Sequence, residues 1–399
     1  MQALRKSEPA AARPEDTSAA AADAAIVVAR ELKEAEAAPS LQQMAAISGQ
    51  SPLAIVREFA GLAFGPGGLS FTDYVRLRLF DNAFWDGADK RQVIGSKRNM
   101  DLALKVNWRH QHFGLMLDKI ASRSYLAAYG LPTIPTQAIW APELSNGASW
   151  LLTQRQDLVA FLMRDDVYPL FGKPVGGLQS LGSIAIRRRI SNTVLEKANG
   201  ETVEAARFIA DIEENYRSGY LFQPMMTPHA DIVALCGERL GTARIVTIMG
   251  EDGPQVLRAA WKIPAAKNMV DNYWRAGNML ARLDLETGEV KKVLSGDGLS
   301  LAEVTHHPDT GAALVGAHLP NWDRMKQAAL EGARLMHEVG LIGWDMASTP
   351  DGPVIVEMNV TPDLGLCQLA DARGMLDDTF TAFIAYQKRC EREQKNGRK

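Results

Sequence analysis

Two pairs of strands joined by short turns constrain this chain most. Thr242–Met249 and Gln255–Ile263 are largely apolar runs, and Gly250-Glu251-Asp252-Gly253-Pro254 lies between them. Leu341–Ala347 and Pro353–Asn359 repeat the arrangement around Ser348-Thr349-Pro350-Asp351-Gly352. Strands joined so tightly run antiparallel. Helical spacing falls between such pairs, not after every strand. Val203, Ala206, Ile209, Ile212 and Tyr216 recur with helical period, as do Met325, Ala329, Gly332, Met336 and Val339. The order argues for an α+β fold with antiparallel sheets and against a doubly wound parallel sheet.

The chain has 399 residues, 46% of them apolar, enough for two or three domains or one large multi-lobed enzyme. Lys plus Arg is 44 and Asp plus Glu is 47, a net charge of −3, which disfavours a dedicated nucleic-acid binder. Cys236, Cys367 and Cys390 have no CxxC spacing, so neither a disulfide scaffold nor a structural zinc site is expected. No apolar run approaches the roughly 20 residues of a spanning helix, and the first residues lack a signal-type apolar core. Membrane insertion is not expected, and a cytoplasmic location is the default.

Residues 1–40, rich in Ala, Glu and Pro, read as a disordered or loosely helical tail. Residues 41–117 read as helical. Ile55, Phe59, Leu62 and Phe64 share a face, Gly65-Pro66-Gly67-Gly68 breaks the helix, and Ser70 caps the next. Asp118-Lys119 opens a short helix that Gly130-Leu131-Pro132 stops. Strands follow at Thr133–Trp140, near Tyr168–Gly172, at Ile184–Ile186 and at Tyr220–Gln223. Residues 118–222 and 223–388 form two expected lobes, and 389–399 a charged tail.

Lys173-Pro174-Val175-Gly176-Gly177-Leu178-Gln179-Ser180-Leu181-Gly182-Ser183 joins two of those strands. Glycines let backbone N–H groups approach an anion, Ser180 and Ser183 add hydroxyls, and Lys173 adds a charge. A flap over phosphates and a plain glycine-rich hairpin are the two readings. Pro174 follows Gly172-Lys173, so this is no Walker loop.

The last hairpin is more telling. A turn centred on Asp351 puts Asp345 opposite Glu357 and on one face with Ile355 and Asn359. Trp344 and Met346 then share the core face with Val354, Val356 and Met358. Opposed carboxylates repel, and a hard cation between them reverses the sign. Asp345, Glu357 and Asn359 supply the oxygens that Mg²⁺ prefers, and a solvent-facing polar stripe is the other reading. Arg244, inside the apolar strand around Ile245-Val246, needs an anionic partner, from a ligand or from the protein. Lys119 and Lys262 pose the same question more weakly. Arg187-Arg188-Arg189 reads as a solvated edge, and His306-His307 as a turn. No G-x-S-x-G elbow is present, so a serine hydrolase lacks support.

In order along the chain, these features resemble the ATP-grasp superfamily. They are Asp118-Lys119, Lys173-Pro174 with its loop, Leu221-Phe222-Gln223-Pro224-Met225-Met226, Arg244, and Asp345 with Glu357-x-Asn359. Val270-Asp271-Asn272-Tyr273, His307-Pro308-Asp309-Thr310-Gly311 and Gly343-Trp344-Asp345-Met346 narrow the resemblance to the sugar-transfer-associated ATP-grasp proteins, related to alpha-L-glutamate ligases.

The resemblance implies two α+β lobes gripping ATP, with a mainly helical region before them. It implies that Lys119 and Lys173 contact phosphates, and that Gly176, Gly177 and Ser180 form the lid. Gln223, Met225 and Met226 would line the adenine hinge, and Asp231 would reach the ribose. Asp345, Glu357 and Asn359 would hold Mg²⁺, or Mn²⁺ in its place. Arg244 and Lys173 would be catalytic. Lys262, Asn272, Arg275 and Asn278 would lie near the substrate. The implied activity is an ADP-forming ligase that joins a small carboxylate to an amine, in a cell-surface polysaccharide or sugar-modification pathway. A kinase acting on a small hydroxyl substrate and a non-catalytic ATP-binding protein are the alternatives. Oligomerisation is left open. Related ligases often carry a Rossmann-like lobe where this chain reads as helical.

Overall fold

The computed structural model describes residues 39–144, 148, 150–176, 181–265, 268 and 270–397. The expected tail of residues 1–40 falls almost entirely outside these, as do Gly177 and Ser180 of the glycine-rich loop.

From residue 41 the chain is helical. Helices span Leu41–Ser48, Pro52–Ala63, Phe71–Arg76, Asn82–Trp85 and Ser96–Val106. Ser70 Oγ accepts from Asp73 N at 3.1 Å, and the Asp73 carboxylate accepts from Ser70 N at 3.0 Å, a reciprocal cap. The break before it depends on Gly67, where a Cβ would lie 1.8 Å from the Val93 carbonyl oxygen. Ile55 and Leu62 are buried, but Phe64 is 93% exposed, against expectation. It caps the helix end instead of continuing its apolar face.

Asp118 then caps the helix Lys119–Ala128, its carboxylate accepting from Ile120 N at 2.8 Å and Ala121 N at 2.9 Å. Seven strands follow: β1 (Ala138–Trp140), β2 (Leu151–Leu152), β3 (Leu170–Pro174), β4 (Ile184–Arg189), β5 (Val194–Lys197), β6 (Thr202–Glu204) and β7 (Tyr220–Pro224). They form one sheet in the order β2-β1-β7-β3-β4-β5-β6. The expected strand at Thr133–Trp140 shrinks to its last three residues. Pro132 and Pro135 lack ladder donors. Thr133 instead makes a single bridge to Ile355.

The second sheet contains β8 (Thr242–Gly250), β9 (Gly253–Ile263), β10 (Met279–Leu283), β11 (Val290–Ser295), β12 (Ala302–Val304), β13 (Leu341–Thr349) and β14 (Gly352–Asn359). Its order is β12-β11-β10-β9-β8-β13-β14. Every pairing in the two sheets is antiparallel except β1 with β2. The fold is therefore α+β.

Each sheet is covered differently on its two faces. Helices Arg155–Leu162 and Ala205–Asn215 pack on one face of the first, through Leu158, Phe161, Phe208 and Ile212. The second sheet carries helix Trp322–Leu335 on one face, where Gly332 gives room to the Trp344 ring. Its other face is half covered by the N-terminal helices and by helices Leu364–Asp371 and Asp378–Gly397. The segment 389–397 is thus the end of a helix, not a separate tail. The uncovered half of that face looks toward the first sheet.

The β13–β14 hairpin corrects the assumed register. Thr349 lies opposite Gly352, so the turn is centred half a residue before Asp351. A bulge between the Glu357 and Ile355 pairings restores the count. Asp345 therefore does face Glu357. Ile355, however, pairs with Met346 and is buried in the core, while Val356 lines the space between the sheets. Val354 pairs with Ala347, on the face opposite Met346, so the expected faces of Val354, Ile355 and Val356 are all reversed.

Candidate active site between the two sheets

A cleft of about 810 Å³ separates the sheets. On β3, Leu170 points into the helix-covered core, while Phe171 and Lys173 line the cleft. The sequence reading put Lys173 in the loop, but it lies on β3, its backbone held opposite Leu221 of β7. The lysine is 8% exposed. Burial pulls its ammonium down to about 8; Glu357 opposes that and Lys119 adds to it.

The second sheet contributes Arg244 from β8, Lys262 from β9 and Asp345 from β13, all lining the cleft. Arg244 and Asp345 are directly paired in register. Arg244 Nε donates to Asp345 Oδ1 at 2.7 Å and Nη2 to Oδ2 at 3.1 Å, a two-pronged bond. Lys262 Nζ approaches Asp345 Oδ2 at 3.2 Å and Asp271 Oδ2 at 3.5 Å. Asp271 also accepts from Thr242 N at 2.8 Å. Burial works against the Asp345 charge, but Arg244 and then Lys262 outweigh it, so its carboxyl stays well below the usual carboxylate range. Burial likewise opposes the Arg244 charge, and Asp345 overrides it.

The partner that Arg244 needs is thus Asp345 itself. The like-charge conflict between Asp345 and Glu357 is relieved by cations of this chain. Lys119 Nζ lies 3.4 Å from Glu357 Oε1. Among the described residues no group of three or more His, Cys, Asp or Glu side chains is arranged around a metal position. The oxygen donors nevertheless suit a hard cation. Glu357 and Asn359 line the cleft with Asp345, and Asn359 pairs with Gly343 on the neighbouring strand. Both Asp345 oxygens already accept hydrogen bonds, so its share in such a site requires Arg244 and Lys262 to yield.

Gln223, Met225 and Met226 also line the cleft. Gln223 Nε2 donates to the Ile134 carbonyl at 3.3 Å, while its buried Oε1 has no partner among the described residues. A ligand donor would satisfy it. Met225 N already donates to Pro169 O at 2.9 Å, so that hinge amide is engaged.

Other expected residues lie elsewhere. Asp231 begins the helix Ala230–Cys236 with a side chain 72% exposed, outside the cleft lining. Arg275 is also outside the lining, and Gly176 is exposed. Asn278 is buried and wholly engaged: Oδ1 accepts from Ala265 N at 3.1 Å, and Nδ2 donates to Val270 O at 2.9 Å and Asn272 O at 2.7 Å. It ties the loop that presents Asn272, which does line the cleft. His307 is buried in its turn and bonds Pro264 O at 3.2 Å. Arg188 and Arg189 pair with Glu196 and Asp165, and only Arg187 of the three reaches the cleft. All three cysteines are free, and burial pushes the Cys236 and Cys367 thiols up to about 12.

Sequence reasoning missed Asp271 and Thr242 beside Lys262. It also missed Arg76, Asn99, Trp274 and Asp363 at the end of the cleft formed by the N-terminal helices. Arg76 and Asn99 belong to helices with no local ligand signature.

The family model for sugar-transfer associated ATP-grasp proteins matches residues 97–381, and the chain belongs to that family. No curated protein matches. Solved structures similar to it include the D-alanine-D-alanine ligase of Coxiella burnetii, 15% identical, covering 71% of this chain and 60% of that one, with a TM-score of 0.41. The corresponding Bacillus anthracis enzyme is 15% identical and covers 70% of each chain, with a TM-score of 0.39. The ATP-grasp ligase PsnB with its minimal precursor is 16% identical, covering 68% of this chain and 60% of that one, with a TM-score of 0.34. This chain thus spans 60% of the Coxiella enzyme's length.

Proposed function

We propose that this protein is an ADP-forming ligase that uses ATP and Mg²⁺ to join a carboxylate to an amine. The observation that carries the reading is the set of four basic side chains, Lys119, Lys173, Arg244 and Lys262, facing the Asp345–Glu357 pair in one cleft. A polyphosphate with a metal ion matches both signs of charge.

In this reading Lys173 and Lys119 bind phosphate oxygens, and Gln223, Met225 and Met226 hold the base. Glu357 and Asn359 would hold Mg²⁺, which would offset phosphate charge when bound, while Asp345 stays paired with Arg244. Arg244 steadies the equatorial oxygens of the moving phosphoryl group, and Asp345 keeps the guanidinium aimed. A substrate carboxylate oxygen attacks the γ-phosphorus and ADP leaves, giving an acyl phosphate. The amine then attacks the acyl carbon, phosphate departs, and the nitrogen loses a proton. The enclosing sheets limit access of water to the acyl phosphate. No protein nucleophile is required, and both buried thiols are protonated at neutral pH.

Hydroxylamine trapping tests this. The protein, ATP and Mg²⁺ are incubated with an extract of small acids and hydroxylamine. An ATP-dependent hydroxamate, absent in Glu357→Ala, is expected and identifies the acid. A new phosphorylated metabolite without hydroxamate replaces the reading with the kinase. Nucleotide binding with neither product leaves the non-catalytic reading in its place.

A further inference from the structure

The cleft has a second charged end that the ligase reading does not use. Arg76 closes the helix Phe71–Arg76, in the N-terminal helical region. Its guanidinium carbon lies 3.2 Å from the centroid of the Trp274 ring. Trp274 Nε1 donates to Asp363 Oδ2 at 2.8 Å, and Gly365 N donates to Asp363 Oδ1 at 2.9 Å. The ring is therefore fixed in orientation, and the guanidinium is stacked upon it.

A stacked guanidinium keeps its N–H edge available for an anion. Among the described residues no carboxylate lies within ion-pair distance of Arg76. Burial draws the group below its ordinary value, and Asp363 is the first charge opposing that. Asp297 and Asp73 add to that support, all three carboxylates acting from beyond ion-pair distance. The same lining contains Asn99, 8% exposed and bonded to Pro362, the residue before Asp363. Asn99 Nδ2 donates to Pro362 O at 2.9 Å, but its buried Oδ1 has no partner among the described residues. One corner of the cleft thus offers a planar cation for a carboxylate and a bare acceptor for an N–H or O–H.

The geometry points to a substrate subsite built by the N-terminal helices, in which Arg76, stacked on Trp274, binds a carboxylate and Asn99 Oδ1 accepts from a hydroxyl or amine next to it. The inference rests on the ligase reading only in naming the bound group as substrate. It assigns the helical region a recognition role and makes the class a hydroxy- or amino-carboxylate. Phosphate chemistry stays at the Lys173 end.

The test uses the full chain labelled with 5-fluorotryptophan, with the Trp274 ¹⁹F line assigned by Trp274→Phe. Glycolate, glycine and acetate are titrated in turn with Mg²⁺ and a non-hydrolysable ATP analogue present. Glycolate or glycine is expected to move the Trp274 line at millimolar concentration, more tightly than acetate. Arg76→Gln should weaken this by about tenfold or more, with Arg76→Lys intermediate and folded as the parent. Asn99→Ala should abolish the advantage over acetate. No shift with any of the three, or an unchanged midpoint in Arg76→Gln, overturns the subsite. Equal binding of all three in the parent overturns the role of Asn99. Binding of a fluorescent ATP analogue is measured on the same samples. Its loss counts against the nucleotide reading, while an Arg76-dependent shift would still stand.

Discussion

Lys173 is the residue whose replacement separates stability from function most cleanly. It is 8% exposed on a central strand of the first sheet. Its ammonium is drawn from an ordinary 10.5 to about 8, chiefly by burial. At about 1.4 kcal/mol per tenfold, that difference is about 3 kcal/mol against the folded state. The sign follows from proton counts. Between pH 8 and 10.5 the unfolded chain holds the proton that the folded chain has lost, so stability rises with pH there. Below that window the full cost is present. Lys173→Met keeps the stem's length and removes the charge. Urea unfolding should show the variant more stable than the parent near pH 7, by about 1–3 kcal/mol, with the gap closing toward about pH 10. Other groups titrate in both proteins and cancel in the difference. The same variant should lose most affinity for a fluorescent ATP analogue. A variant less stable than the parent at neutral pH, or a gap independent of pH, refutes the account of Lys173 as a stored, desolvated charge.

Nucleotide affinity should be flat below pH 8 and fall above it, by up to about tenfold per pH unit, as free Lys173 loses its proton; fluorescence titrations of Lys173→Arg, which stays charged, should show no such fall. Asp345→Ala should destabilise the fold by about 3–5 kcal/mol, because Arg244 and Lys262 lose their buried partner. Glu357→Ala, on a half-exposed side chain, should stay within about 1 kcal/mol of the parent yet abolish product; denaturation with activity assays checks both. Gly332→Ala should cost about 1–3 kcal/mol, since its Cβ would lie 2.5 Å from the Trp344 ring; a thermal melt reads this directly.

Local pattern determined much of this protein. The hairpins around Gly250–Pro254 and Ser348–Gly352, the cap at Ser70 and the Asp118 helix start all form where side-chain chemistry or turn residues require them. The family was legible because its residues recur in a fixed order along the chain. Other strands were not legible. Lys291 and Lys292 interrupt the apolar alternation of β11, and β12 is a short edge strand, so neither declares itself without its neighbours. Period-2 reasoning placed Asp345 opposite Glu357, but a bulge, which no local signal announced, exchanged the faces of Ile355 and Val356. The partners of a charge are longer-range still. Arg244 meets Asp345 across 101 positions of sequence, and Trp274 meets Asp363 across 89. Sequence established that Arg244 required an anion, because an apolar strand cannot hold a bare guanidinium. Only the packing of β8 against β13 decided which anion. In the same way, only the docking of the N-terminal helices brought Arg76 and Asn99 to the cleft, since nothing in their local sequence distinguishes a ligand-facing side chain from a solvent-facing one.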